Sequence, residues 1–464
     1  MPPKFGTSGL RGLVVDLTQE LVSDYTRAFL AACPVGGAVY LGRDLRASSP
    51  DIAAAVAGAV RGEGVDVVDC GVLPTPALAL AAGQAKAGAI MVTGSHIPAD
   101  RNGLKFYTPS GEISKEDEGA INANLGRAPA GGQGALSDGA EAAVSAYSGR
   151  YRDAFGADAL TGLRIGVYQH SSVARDIMME VIAALGATPV ALGRSDTFIP
   201  VDTEALDPDT QTLLGGWCAE HGLDAVISTD GDADRPMLAN AQGQVIPGDV
   251  LGALSAQSLG ARLICTPVSS NSMIAQMSEF DEITLTRIGS PFVIAAMEAV
   301  LGKDRDASVV GYEANGGFLL GFTASGPAGP LAPLMTRDCL LPILAPLAMA
   351  RAAGQSLSEL VASLPPRFTA ADRLQGIATE NSKAFLAELQ QDAEARAAFF
   401  AETGSESGVD LTDGLRVTFD GGDVVHLRPS GNAPEFRCYA EAASFERAQS
   451  LVQRHLGKIA DKLG

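Results

Sequence analysis

Ala38-Val39-Tyr40-Leu41-Gly42 is a short apolar run followed by a polar loop at Arg43 to Pro50, an Ala-rich stretch from about Asp51 to Gly62, and a second apolar run at Val65 to Cys70. Strand, loop, helix and strand in this order form a βαβ unit, whose two strands are parallel because the crossover returns the chain to the same edge. The pattern recurs at Leu163 to Tyr168, Val173 to Leu185 and Thr188 to Leu192. It returns at Arg262 to Thr266, with a helix expected around Ser272 to Glu279 and a strand at Ile283 to Thr286. Recurrence at roughly 100 to 120 residues predicts three similar α/β domains, each large enough for its own core.

The rest of the chain fits around these units. Ala128 to Gly134 is too Gly-rich for a helix and marks a loop or a boundary. Leu364-Pro365-Pro366-Arg367-Phe368 is a second break. Beyond it come a charged helical stretch at about Asn381 to Ala401 and alternating runs at Leu415 to Phe419 and Val424 to Leu427, the pattern of a smaller α+β domain. The expected partition is 1–150, 151–247, 248–364 and 365–464, with the boundary near Ile246 to Asp249 marked by no Pro-rich tract.

A length of 464 residues agrees with three or four domains at about 150 residues each. Hydrophobic residues at 46% and charged residues at 19% exclude a globally disordered chain. With 54 acidic and 34 basic side chains the net charge is −20, which disfavours phosphate backbones and anionic lipid, so neither nucleic acid nor membrane is an expected partner. No apolar run reaches the length of a membrane span, and Met1 to Gly6 lacks the apolar core of a secretory signal. The six cysteines (Cys33, Cys70, Cys218, Cys265, Cys339, Cys438) include no CxxC pair and read as buried thiols of a cytoplasmic protein.

Four loops carry chemistry-bearing residues. Thr93-Gly94-Ser95-His96 follows the apolar run Ala89 to Val92, where open α/β sheets place ligand sites, and Lys105 lies just beyond. By itself this segment admits an ordinary turn serine or a hydroxyl activated by a base, a metal or a phosphoryl group. Asp230-Gly231-Asp232-Ala233-Asp234-Arg235 follows Ala225 to Ser228. In extended backbone its three carboxylates face one side and suit a hard divalent cation; a solvated acidic turn is the alternative. A helix-loop-helix calcium site fails, because it needs Gly where Arg235 stands and an acidic twelfth ligand where Ala241 stands. Gly311-Tyr312-Glu313-Ala314-Asn315-Gly316-Gly317 offers Glu and Asn to sugar hydroxyls, or is a plain Asn-Gly turn. Arg428-Pro429-Ser430-Gly431-Asn432, with Arg437 after it, is an anion cradle suited to phosphate or an Asx-type turn.

Taken in order with Phe5-Gly6-Thr7-Ser8-Gly9-Leu10-Arg11-Gly12, these loops resemble the α-D-phosphohexomutase superfamily from Phe5 to Arg437. The resemblance implies an α/β fold of three similar domains with mixed sheets and a smaller C-terminal α+β domain around a central cleft. It implies a hexose 6-phosphate/1-phosphate mutase working through a phosphoserine and a hexose 1,6-bisphosphate. Ser95 would carry the phosphoryl group, and Asp230, Asp232 and Asp234 would hold Mg²⁺ with an oxygen of that phosphoserine. Arg11 and Lys105 would lie beside the phosphoserine as candidates for proton transfer, supported by His96 and Arg235. An ordinary Lys or Arg is a poor base, so their role is electrostatic as much as protolytic. Glu313 and Asn315 would read the sugar, and Arg428, Ser430, Gly431, Asn432 and Arg437 would hold the distal phosphate. The sugar loop departs from the Glu-Met-Ser-Gly-His of many members: Asn315 replaces the Ser and Gly317 stands in the place of the His. Mannose phosphate is the expected substrate, with glucosamine or glucose phosphate specificity, a metal-dependent phosphohydrolase or a non-catalytic sugar-phosphate binder as alternatives. A monomer or homodimer is expected, whose fourth domain closes over the cleft from a hinge at Leu364 to Arg367.

Overall fold

Residues 3–6, 8–429 and 435–463 are described by the computed structural model. Three successive units share one strand order. In the first, Asp66–Val72, Ala38–Arg43 and Gly88–Val92 are parallel neighbours in that spatial order, and Arg101–Thr108 adds antiparallel to the last. The second unit repeats this with Thr188–Arg194, Arg164–His170 and Ala225–Thr229, then antiparallel Pro236–Asn240. The third has Glu282–Thr286, Leu263–Pro267 and Val309–Tyr312, then antiparallel Phe318–Leu320. In each unit the third of these four strands to be laid down lies in the interior of the sheet and turns back through a loop at its carboxyl end. Ser95, the three aspartates and Glu313 stand in those three equivalent loops.

Burial explains why the sheets are so apolar. Gly88–Val92 and Ala225–Thr229 are buried at every position, as parallel strands covered on both faces must be. One apolar core runs through all three units, from Leu78 and Tyr147 through Ile165 and Val181 to Leu254, Tyr312 and Leu344. It contains a polar tie: Tyr147 donates a 2.6 Å hydrogen bond to one oxygen of Asp338 and Tyr151 donates to the other, fixing helix Ala140–Phe155 to the third sheet.

The fourth unit differs. Its strands Phe368–Gln375, Glu435–Ala442, Val424–Pro429, Leu415–Phe419 and Glu406–Asp410 form an antiparallel sheet in that order. Helices Thr379–Gln391, Ala393–Phe400 and Phe445–Leu463 cover it around a separate core of Phe385, Phe400, Phe436 and Leu451. No helix among the described residues is long and apolar enough to cross a membrane.

One sequence expectation is corrected in detail, and a second is settled toward one of its two readings. The helix around Ser272 to Glu279 is only a short 3-10 turn, Ser272–Gln276. Asn271 caps it and donates through Nδ2 to Arg367 O, while the Ser272 N–H and hydroxyl are both taken by Glu441, so the backbone is held by the fourth unit before an α-helix can extend. Ala128 to Gly134 is a loop within the first sheet: Gly132 and Gly134 donate to Gly62 O and Arg61 O, and Leu136–Asp138 then adds parallel to Asp66–Val72.

Candidate active site

The serine loop is built on a buried ion pair. Asp44 accepts from the Thr93 hydroxyl at 2.8 Å, the Gly94 N–H at 3.2 Å and Arg46 Nε at 3.1 Å. Arg46 in turn donates to the carbonyl oxygens of Ser95, Ile97, Pro98 and Arg101 at 2.6–3.0 Å. A Cβ on Gly94 would stand 2.6 Å from the Arg46 guanidinium carbon, so glycine is required there. Held this way, Ser95 adopts φ +53°, a left-handed conformation unusual for a non-glycine residue. Its side chain is thereby turned toward the second unit, where Oγ donates to Asp230 Oδ2 at 2.5 Å.

The aspartates converge by a different route from the one expected. Residues 230–235 form a turn with Ala233 at φ +58°, not an extended segment; the hydrogen bonds Asp230 N–H to Arg235 O and Ala233 N–H to Asp230 O fold it back. The result is nevertheless a buried carboxylate trio with one oxygen of each within 4.8 Å of the others. Lys105 Nζ reaches Asp232 Oδ2 and Asp234 Oδ2 at 2.5 Å each, and the Thr75 hydroxyl donates to Asp232 Oδ2 at 2.6 Å. Asp232 Oδ1 and Asp234 Oδ1 remain buried with no partner among the described residues. Orphaned carboxylate oxygens are costly in a dry site, and a hard cation with oxygen ligands satisfies them. The donor set therefore fits Mg²⁺.

Electrostatics distribute unevenly over the trio. Burial and the neighbouring Asp232 and Asp234 push Asp230 well above the usual carboxylate range. Burial also works to raise Asp232, but Lys105 outweighs it and holds that carboxyl below its ordinary value. His96, with Nδ1 3.3 Å from Ser95 Oγ, is pushed down to about 3 by burial and by Arg235, so its imidazole is neutral at pH 7. Arg11, on the strand Leu10–Leu13 paired with Arg101–Thr108, is lowered by burial and by two nearby guanidinium groups, Arg337 and Arg46, against the attraction of Asp232 and Asp234.

The sugar loop abuts the aspartate loop. Gly316, at φ +86°, packs against the Pro236 ring and Gly248: a Cβ there would lie 2.6 Å from Pro236 Cγ and 3.2 Å from Gly248 Cα. Glu313 and Asn315 are buried, and the Asn315 side chain accepts from the Gly317 N–H at 3.0 Å. Arg235 has its Nη1 3.9 Å from Asp202 Oδ1, and Glu204 stands in the fields of Arg235 and Arg437. The Nε atoms of Arg235 and Arg437 are buried with no partner among the described residues, which suits them to an anion.

Arg428 is engaged by a carboxylate, donating through Nε to Asp413 Oδ1 at 2.9 Å. Ser430, Gly431 and Asn432, expected in the phosphate cradle, lie outside the described residues. Ser95, His96, Lys105, Arg11 and the three aspartates are thus assembled in one place, with Glu313 and Asn315 beside them. Sequence reasoning missed Asp44, Arg46, Thr75, Asp202, Glu204 and Arg337. Asp44 and Arg46 stand directly after a strand's carboxyl end, a signal that was available; Arg337, on the strand Leu334–Asp338, carried none.

Comparisons with known proteins place the chain in a family. Family models described as phosphoglucomutase/phosphomannomutase match at α/β/α domain I over residues 2–130, at α/β/α domain III over 247–368 and at the C-terminal domain over 377–457. A phosphomannomutase of Sinorhizobium fredii is 46% identical, with 99% of each chain covered. One from Salmonella muenchen is 44% identical over 99% of this chain and 96% of that one. The crystal structure of a phosphoglucomutase/phosphomannomutase family protein from Burkholderia thailandensis has the same fold, with a TM-score of 0.75 at 22% identity over 99% of this chain and 98% of that one. Full-length similarity and three matched domains establish that the chain belongs to the phosphoglucomutase/phosphomannomutase family of α-D-phosphohexomutases.

Proposed function

We propose that this chain interconverts hexose 6-phosphate and hexose 1-phosphate through a phosphoryl group carried on Ser95, with mannose phosphate as the preferred substrate. The observation that carries the reading is the contact of Ser95 Oγ with a buried aspartate trio that keeps two orphaned oxygens. Full-length likeness to two phosphomannomutases supports the epimer.

In the first half-reaction a free hydroxyl of the hexose monophosphate attacks phosphorus as the bond to Ser95 Oγ breaks, and the hydroxyl proton ends on the freed Ser95 Oγ; in the return step that proton passes to the sugar oxygen left behind. The product is a hexose 1,6-bisphosphate; it turns around, and its other phosphoryl group returns to Ser95. Asp230, Asp232 and Asp234 would hold Mg²⁺ with Ser95, and the ion would draw charge from the transferring group. Lys105 and Arg11 supply fixed positive charge against the phosphoryl oxygens, and neutral His96 presents a lone pair or an N–H to the Ser95 oxygen without adding charge. Glu313 and Asn315 accept from and donate to sugar hydroxyls. Arg235, Arg428 and Arg437, with Ser430, Gly431 and Asn432, hold the phosphate that is not reacting. Phosphate binding at Arg428 competes with Asp413 for the guanidinium. The expected setting is the cytoplasm, in keeping with six buried, unpaired cysteines.

The deciding assay supplies mannose, glucose and glucosamine 6-phosphates side by side, each with a trace of hexose 1,6-bisphosphate. Formation of the 1-phosphate, highest in kcat/KM for mannose, is the expected result. Release of inorganic phosphate in step with substrate loss would instead make the chain a phosphohydrolase. Chelation is expected to stop turnover and Mg²⁺ to restore it; activity that persists through exhaustive chelation contradicts the assignment of the aspartate trio.

A further inference from the structure

In the sugar loop, the space over Gly317 is filled by a side chain from a distant strand. A Cβ on Gly317 would lie 2.6 Å from Arg337 Cδ, 2.8 Å from Cγ and 3.1 Å from Cβ. The stem of Arg337 therefore runs directly over the glycine, and its rotamer is compatible with no side chain there. Arg337 comes from the strand Leu334–Asp338, outside every motif, yet its side chain is 6% exposed and its guanidinium is forked between two loops. Nη1 donates to Glu313 Oε2 at 3.2 Å and Nη2 donates to Asp234 Oδ2 at 2.6 Å. Nη2 also approaches the Ser8 hydroxyl at 3.4 Å, and that hydroxyl donates to Glu112 Oε1 at 2.5 Å.

We infer that Arg337 is the positioning residue of the sugar loop: it fixes Glu313 for the sugar hydroxyls and locks that loop to the aspartate loop. This rests on the mutase reading of the site. The physical need is plain. Glu313 is a buried carboxylate near an aspartate trio, and like charges at such spacing repel strongly where water is excluded. A planar guanidinium with donors on both sides neutralises both carboxylates at once and sets the angle between them, whereas a lysine offers a point charge that cannot fork. Arg337 also consumes Asp234 Oδ2 together with Lys105, which leaves Oδ1 as the oxygen free for a cation.

Three variants test this: Arg337→Lys, Arg337→Ala and Gly317→Ala, the last of which meets the Arg337 stem first. Thermal melts establish that each is folded. Calorimetry on the dephosphorylated protein with Mg²⁺ then measures binding of mannose 6-phosphate and of inorganic phosphate, and kinetics give kcat and KM for mannose and glucose phosphates. The expected result is mannose 6-phosphate affinity weakened about tenfold in Arg337→Ala and Gly317→Ala, the loss of roughly one charge-assisted contact, with partial recovery in Arg337→Lys. Inorganic phosphate affinity stays as in the wild type, KM rises more than kcat falls, and the mannose-to-glucose ratio of kcat/KM moves toward one. Folded variants with wild-type sugar affinity and an unchanged epimer ratio overturn the inference while leaving the mutase reading intact. A wild-type protein that neither binds nor converts any hexose phosphate overturns both.

Discussion

The residue that shapes the loop of Ser95, the proposed phosphoryl carrier, makes no contact of its own with the aspartate trio's orphaned oxygens. Arg46 satisfies four carbonyl oxygens of the loop around Ser95 and pairs with buried Asp44, and the Phe198 ring lies 4.0 Å from its guanidinium carbon. Arg46→Ala strands a buried carboxylate and those carbonyls together, and is expected to cost about 3–5 kcal/mol of unfolding free energy and to abolish turnover. Denaturant melts and initial rates check this; a variant with wild-type stability would remove Arg46 from the scaffold. Ser95→Ala is expected to differ in kind: it loses phosphoryl transfer while keeping its fold and its hexose phosphate affinity, because Ser95 makes one contact to the trio and bears no load in the core. Ser95, Lys105 and the aspartates were legible in the sequence because chemistry restricts their residue types. Arg46 and Arg337 were not, since an arginine's role depends on which carboxylates the fold brings to its two sides.

At the scale of elements, the third strand of each α/β unit fixes where a functional loop emerges. The strand itself was readable from its apolar run. The backbone of the loop was not: the aspartates gather through a left-handed Ala233, and Ser95 is aimed by its own positive φ. The short turn at Ser272–Gln276 departs from its helical expectation because the fourth unit claims its donors. Helix Phe445–Leu463 carries a pH-sensitive position. His455 accepts or donates at Nε2 to the Thr403 hydroxyl at 2.9 Å between the rings of Phe399 and Phe400, and burial pushes it down to about 4 from an ordinary 6.5. The unfolded chain thus takes up a proton near pH 6.5 that the folded chain refuses until about pH 4. Its contribution to stability is full above pH 6.5 and is lost as the pH falls toward 4. His170 and His426, also pushed down to about 4 chiefly by burial, act in the same direction. Thermal midpoints are expected to fall between pH 7 and 4.5, and His455→Phe is expected to flatten that slope; an unchanged slope contradicts the assignment.

For the whole molecule, the fourth unit meets the others through polar contacts, and among the described residues its core is separate from the shared one. Glu441 accepts from the Ser272 N–H at 3.0 Å, the Ser272 hydroxyl at 2.6 Å and Arg416 at 3.0 Å, with Arg367 3.6 Å away. Asp413 takes the Ile288 N–H through Oδ2 while its other oxygen holds Arg428. Polar contacts of this kind can be exchanged at small cost, which suits the closure expected of the fourth unit in the proposed reaction. Glu441→Ala is expected to increase the radius of gyration in small-angle scattering, to open the segment 364–367 to limited proteolysis and to raise KM severalfold. Identical scattering and proteolysis would place the hinge elsewhere. The sequence by itself determined the repeated α/β units, the distinct C-terminal unit and the residue types of the reacting groups, because periodicity and ligand chemistry are local properties. Only the tertiary structure decided that three equivalent loops converge, that Arg46 and Arg337 hold them, and that Arg428 is already paired with a carboxylate. Those outcomes depend on which charges from distant segments share one dry volume, and no local pattern records that.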